Sequence, residues 1–152
     1  MCFFLFALKS LSYAAIKDYV VAFVDDTAIT LSELNEVYSD SIKLNPEITK
    51  EEVLNSMINR ILILREAKKL RLNATADEEI LKEYISLRIR PHIKEEDVLD
   101  FYKKYVDNFQ GKEFEAVREE IEHYLTEKEI NKLLKNHIDK LREKAYIKMQ
   151  LH

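Results

Sequence analysis

Glycine is almost missing from this sequence, which has one glycine, two prolines and one cysteine in 152 residues. Phosphate-binding loops and nucleophile elbows need several glycines, because the backbone must approach its ligand closely or turn sharply. None of these motifs can be built here, so we expect no use of ATP. The single cysteine, Cys2, also excludes an intramolecular disulfide and a CxxC site. So few turn-forming residues predict few tight turns and a mostly helical protein.

An excess of positive charge is also missing. The chain carries 24 Lys and Arg against 28 Asp and Glu, which gives a net charge of −4, and the acidic residues are spread along it. Nucleic-acid recognition depends on a basic face that neutralises phosphates. We therefore expect no nucleic-acid partner.

Recognisable catalytic and metal-binding patterns are absent as well. The four histidines form no HxxxH or HExxH pair and have no cysteine beside them; they are His92, His123, His137 and His152. The carboxylate runs at 95–97 and 119–120 fall on amphipathic helices, where such runs are usually solvated faces. No serine has an elbow or a base partner. The sequence thus predicts no catalytic residue, no cofactor and no metal.

The first residues have the pattern of a signal peptide for export. Residues 2–8 form the apolar run CFFLFAL, and Ser12-Tyr13-Ala14 has the small residues of a signal cleavage site. We expect residues 1–14 to be a signal peptide, cut after Ala14, which would place the protein in the periplasm. No basic residue precedes the run, so an amphipathic or buried N-terminal helix and an uncleaved anchor stay open. The run is too short for a stable membrane span, which takes about 20 residues.

Hydrophobic periodicity and helix-start signals divide the rest of the chain. Capping boxes, in which a threonine and a glutamate three residues later exchange hydrogen bonds, are predicted at Thr30, Thr49 and Thr75. Asp25-Asp26 is a plausible turn between two short strands. The predicted strands cover 19–24, 28–29 and 146–151. The first predicted helix begins at Thr30 and ends at Asn45, and four further helices cover 50–70, 76–90, 95–109 and 114–144.

The long helix at 114–144 and the strand after it organise the prediction. At about 1.5 Å per residue the helix would be a rod of roughly 45 Å, which cannot bury its own apolar stripe. The last strand alternates apolar and polar residues and needs a partner. The other strand material lies at 19–29, so the two ends should meet. We predict a mostly α fold with a small antiparallel sheet joining its N- and C-terminal segments, and the long helix under the 31–70 helices.

The order of these blocks resembles the SurA family of periplasmic chaperones and, more loosely, the PrsA-type foldases. The strongest match is the helix at 54–72, whose pattern of leucines, arginine and Glu-Ala-Lys is similar to the family's N-terminal region. The blocks that carry the resemblance are VDDTAIT, LNSMINRILILREAKKLRL, TADEEI, EEDVLDFYKKYVDNF, FEAVREEIEHYL and LREKAYIKMQL. The resemblance implies one chaperone domain at 15–152, with a helical arm at 75–110 and a returning helix and strand at 114–152.

One departure from the family concerns enzymatic activity. Relatives of that layout carry one or two parvulin-type prolyl isomerase domains between the two blocks that correspond here to 95–109 and 114–125. This chain has only Gln110–Glu113 at that position, and four residues cannot hold a domain. We therefore expect no isomerase activity and no enzyme.

Helices 50–70 and 95–109 are apolar around more of their circumference than one neighbour could cover. Aromatic residues and methionine suit unspecific apolar segments, because they offer large and adaptable contact area. The candidate client-binding residues are Met57, Ile61, Leu64, Tyr84, Leu87, Phe101, Tyr102, Tyr105 and Phe109. The alternative for each is a place in the core, and the excess apolar surface could equally serve a homodimer or a domain swap of the 76–109 arm.

Two functions remain open from the sequence. The resemblance implies an exported, ATP-independent chaperone whose helical groove binds unfolded outer-membrane or secreted polypeptides. The alternative is a non-catalytic scaffolding subunit whose groove is filled by a fixed partner or by its own dimer mate.

Overall fold

A computed structural model of the chain describes residues 18–72 and 74–151, so the predicted signal peptide at 1–14 lies outside the described residues. Within them the fold is mostly helical with one small antiparallel sheet, and the predicted fold class is confirmed. The elements in chain order are β1 (Val20–Val24), β2 (Thr27–Thr30), α1 (Leu31–Leu44), α2 (Lys50–Lys69), α3 (Asp77–Arg88), α4 (Glu95–Lys104), a 3-10 helix (Val106–Phe109), α5 (Phe114–Arg142) and β3 (Ile147–Met149).

The sheet joins the two ends of the described chain, as predicted. Its strand order is β2-β1-β3, with both pairs antiparallel. The central strand β1 is the most apolar of the three, and its Val21, Ala22 and Val24 are fully buried. β1 pairs with β3 along one of its edges, where Ala22 lies opposite Met149 and Val24 opposite Ile147.

Asp25 joins the β1–β2 turn to the residue before β3 and to α2. It occupies the β1–β2 turn with a positive φ of 51°, a conformation that Asp tolerates better than most residues. Its N–H donates to the carbonyl of Tyr146 at 2.8 Å, and its carboxylate accepts the Tyr146 N–H at 2.7 Å. The same carboxylate pairs with Arg65 of α2. The Tyr146 N–H, followed by the Arg65 guanidinium, holds the pKa of Asp25 below its usual value.

Two of the three predicted capping boxes are present. Thr30 Oγ1 accepts the Glu33 N–H at 3.3 Å, and Thr49 Oγ1 accepts the Glu52 N–H at 3.2 Å, with both glutamates bonding back. The third prediction, at Thr75, is wrong. α3 begins after Ala76, which makes no side-chain cap bond, so Glu78 falls one position too early for a capping box. Glu78 instead pairs with Arg60 of α2.

The predicted helix at 95–109 is divided. α4 ends at Lys104, and after Tyr105 the chain tightens into the 3-10 helix. This turn brings the Phe109 ring to 5.5 Å from that of Tyr102. Gln110 and Gly111 then both have positive φ, at 53° and 78°, and reverse the chain into α5.

Among the described residues the core consists of three clusters, and α2 supplies more buried residues than any other helix. The first lies between the sheet, α1 and α2; the second between α2 and α3; the third between α4 and the start of α5. The prediction that the long helix lies under residues 31–70 is right only for its second half, which packs on α2. Its first half packs on α4, where Val117 and Ile121 are buried.

Candidate functional site

An aromatic surface groove lies between α4, the 3-10 helix and the first half of α5, and we call it the arm groove. It has a volume of about 550 Å³, within the range of roughly 300–1,000 Å³ typical of ligand pockets. Its walls are formed by Phe101, Tyr105, Asn108, Phe109, Gln110, Lys112, Glu120, Ile121, Tyr124 and Lys128.

Helix geometry explains why aromatic rings converge there. Phe101 lies on α4 and Tyr105 is the residue that caps its end, four positions later, so the two share one face, and their ring centroids are 4.6 Å apart. Tyr124 reaches across from α5 to within 5.3 Å of Phe101. Tyr105 and Tyr124 remain 37% and 49% exposed. Phe101 thus lies between two tyrosines whose rings are partly exposed and form the aromatic wall of the groove.

The groove rests on a fixed base. Ile121, 1% exposed, packs with Val98 and Val117 in the third core cluster. The Tyr102 hydroxyl donates to the Lys112 carbonyl at 2.8 Å, which closes the turn into α5. These contacts join the base of the groove to the third core cluster and to the start of α5.

One ion pair joins α4 to α5. Arg118 of α5 lies 2.6 Å from the Glu95 carboxylate at the start of α4. That hydrogen bond and the charge of Glu95 raise the pKa of Arg118 above its usual value. The pair is exposed, so it contributes to register more than to stability.

The rim of the arm groove is polar and carries both signs of charge. Lys112, Lys128 and Glu120 lie around the aromatic wall, with the amides of Asn108 and Gln110 beside them. Such groups can hydrogen-bond a peptide backbone without selecting one side chain. Across residues 18–72 and 74–151, no group of three or more His, Cys, Asp or Glu is arranged to hold a metal ion.

A second, shallower surface follows α2 on both sides of the Arg60–Glu78 ion pair. One side, of about 420 Å³, is lined by Val37, Met57 and Ile61. The other, of about 580 Å³, lies between α2, α3 and α5 and includes Ile63, Leu81 and Ile138.

The structure distributes the nine sequence-predicted residues over several places. Phe101, Tyr105 and Phe109 come together in the arm groove, and Met57 and Ile61 line the α2 surface. Tyr102 and Leu64 pack against core clusters, and Leu87 is exposed outside both grooves. Tyr84 is 2% exposed, so it is a core residue, which is the alternative that the sequence had left open.

Seven of the ten lining residues were not among the predicted site residues, and three of these seven are exposed residues of the long helix. Tyr124, Glu120 and Lys128 belong to α5 and lie on the groove. Tyr124 could have been found, because it follows the buried Ile121 by three residues and so shares its side of the helix. The two charged residues carry no such signal, since charges at helical spacing are common on any solvated face.

No model of a known protein family matches this chain, and no curated protein is significantly similar to it. By its structure, the protein is a mostly helical domain with a three-stranded sheet and open apolar grooves. In the part of the chain that the structure describes, no helix has the length and apolar character to cross a membrane.

Proposed function

We propose that this protein binds unfolded or extended polypeptide segments in the arm groove, as an ATP-independent chaperone. The observation that carries the proposal is the open aromatic wall of Phe101, Tyr105 and Tyr124 on a fixed base. Exposed rings that pack against each other are favourable to desolvate, because they present large area at a small loss of conformational freedom.

The character of the groove favours a polypeptide over a small molecule. Its wall is apolar and unspecific, and its rim is a mixed set of lysine, glutamate and amide groups. A small-molecule site usually places a few polar groups to fix one orientation, whereas adaptable apolar surfaces suit variable partners. Binding of this kind is weak for each contact and needs no nucleotide for release.

The resemblance to SurA-type chaperones supports the wider setting of this proposal. It implies an exported protein in the periplasm whose clients are outer-membrane or secreted polypeptides. It also implies that prolyl isomerase activity is absent here, because only the Gln110–Glu113 turn connects the arm to α5.

Suppression of aggregation tests the function. The full chain, mixed at equal concentration with a chemically unfolded client, should reduce light scattering as the client is diluted from denaturant. The double variant Tyr105→Ala/Tyr124→Ala should lose most of this effect, because it removes both exposed rings of the wall. Tyr146→Ala is the matched control, since Tyr146 is 63% exposed and lies outside the groove.

Two results would overturn the proposal. One is the absence of suppression by the unmodified chain at stoichiometric amounts. The other is equal suppression by the groove variant and the control. A stable dimer that has no affinity for peptides, measured by light scattering and peptide titration, would instead favour the scaffolding alternative.

A further inference from the structure

Tyr84 and His137 form a hydrogen bond between two helices that are otherwise joined mainly through α2. The Tyr84 hydroxyl of α3 lies 2.8 Å from His137 Nε2 of α5, and the two ring centroids are 5.7 Å apart. Tyr84 is 2% exposed. Depending on its tautomer, a neutral imidazole accepts the hydroxyl proton or donates to the hydroxyl oxygen, whereas an imidazolium can only donate and adds a positive charge at this position.

Cations outnumber anions around this pair. Arg88 of α3 lies over the Tyr84 ring at 5.9 Å, and the charges of Lys140 on α5 and of Lys144 just after it act on the imidazole of His137. The anion that faces the pair is the carboxylate of Glu66 on α2, which also forms an ion pair with Lys69. A proton on His137 would thus enter a partly dry site faced by several cations and one already neutralised carboxylate.

The hydrogen bond lies against the second core cluster. Ile63 and Ala67 of α2 pack there with Ile80 and Leu81 of α3, and α5 adds partly buried side chains. Non-helical chain flanks α3, at 70–72 and 74–76 before it and at 89–94 after it, and Arg71 has a φ of 50°. Two ion pairs join α3 to α2, Arg60–Glu78 and Lys68–Asp77. Both are exposed, so they contribute little to the stability of this contact.

We propose that His137 and Tyr84 are a pH-sensitive latch between α5 and α3, and that protonation of His137 opens the second core cluster. The inference goes beyond the proposed binding function and does not depend on it.

The sign of the effect follows from the environment. Burial, then the charge of Arg88, lowers the pKa of His137, while Glu66 opposes them. The open state leaves the imidazole in water, with an ordinary pKa of about 6.5. The open state therefore takes up the proton first, and the opening equilibrium rises as pH falls below about 6.5, by at most about tenfold per pH unit.

Hydrogen exchange of the full chain tests the latch between pH 7.5 and 5. After correction for the intrinsic exchange rate at each pH, amides of α3 should lose protection as pH falls, while those of β1 keep theirs. His137→Gln should abolish this pH dependence, because a glutamine amide can accept the Tyr84 hydroxyl and does not titrate. His123→Gln is the matched control: His123 lies on the same helix, 74% exposed in its side chain, and its variant should behave like the unmodified chain.

A second measurement needs no variant. The ring signals of His137 in the unmodified protein should titrate below the usual range, together with the amide signals of α3. The proposal is overturned by α3 protection that does not change with pH, by the same dependence in His137→Gln, or by titration of His137 without any response of α3.

Discussion

At the scale of single residues, a few polar side chains fix how the elements meet. Arg142, near the end of α5, donates to Asn59 Oδ1 at 2.7 Å and to Asn55 Oδ1 at 3.0 Å. Both amides belong to α2 and are part-buried. The planar guanidinium offers a separate nitrogen to each of two acceptors one helical turn apart, whereas a lysine has a single ammonium nitrogen.

Replacing Arg142 by lysine should therefore destabilise the protein by about 1–2 kcal/mol, because at least one part-buried amide loses its donor. Urea denaturation measures the change. Arg90→Lys is the control at an exposed position, where a change within about 0.5 kcal/mol is expected. Equal effects of the two substitutions would show that the fork geometry of Arg142 contributes nothing.

At the scale of elements, helix starts depend on where the first turn lies. The caps at Thr30 and Thr49 could be predicted from the sequence, because all their partners lie within three residues. The Thr75 pattern has the same spacing but fails, since α3 begins one residue later and Glu78 bonds to another helix. A contact across helices thus overrides a local signal.

These two threonines form a matched pair for experiment. Thr49→Ala should lower the free energy of unfolding by about 1 kcal/mol, because the Glu52 N–H loses its acceptor. Thr75→Ala should leave it within about 0.5 kcal/mol. Thermal or urea unfolding of the two variants distinguishes them, and a loss at Thr75 as large as that at Thr49 would contradict the structure.

The same reasoning explains what could be predicted of the candidate site. The facing of Phe101 and Tyr105 follows from their spacing on one helix. The burial of Tyr84 could not be predicted, because it depends on residues of other helices, such as Ile63 and Ala67 of α2 and His137 of α5. The division of the 95–109 helix also has a distant cause, since the rings of Tyr102, Phe109 and Phe114 pack only when the chain turns.

At the scale of the whole molecule, acid should act on the sheet and the first helix starts. The carboxyl groups of Asp18, Asp25 and Glu52 all have lowered pKa values, mainly through the backbone N–H groups of Ser32, Tyr146 and Thr49 respectively. A lowered folded-state pKa stabilises the fold above the unfolded value of about 4, and the gain is lost as pH falls through the folded-state pKa.

Asp25→Asn should consequently be less stable than the unmodified chain at pH 7, and the difference should shrink as pH falls toward 3. The reason is that asparagine keeps an acceptor for Tyr146 but has no charge to lose. Urea midpoints at several pH values measure this, with Asp26→Asn, at the exposed neighbouring position, as the control. A difference that stays constant with pH would contradict the assigned role of the Asp25 carboxylate.

The pairing of Asp25 with Tyr146 spans 121 residues, and this has a consequence for the order of folding. A ribosome or an export channel delivers β1 long before β3, so the central strand of the sheet keeps one edge unpaired while the intervening helices emerge. Helical hairpins close quickly, whereas contacts of such long range form late. The nascent chain should therefore gain the second and third core clusters first, and complete the sheet only after Ile147–Met149 have been released.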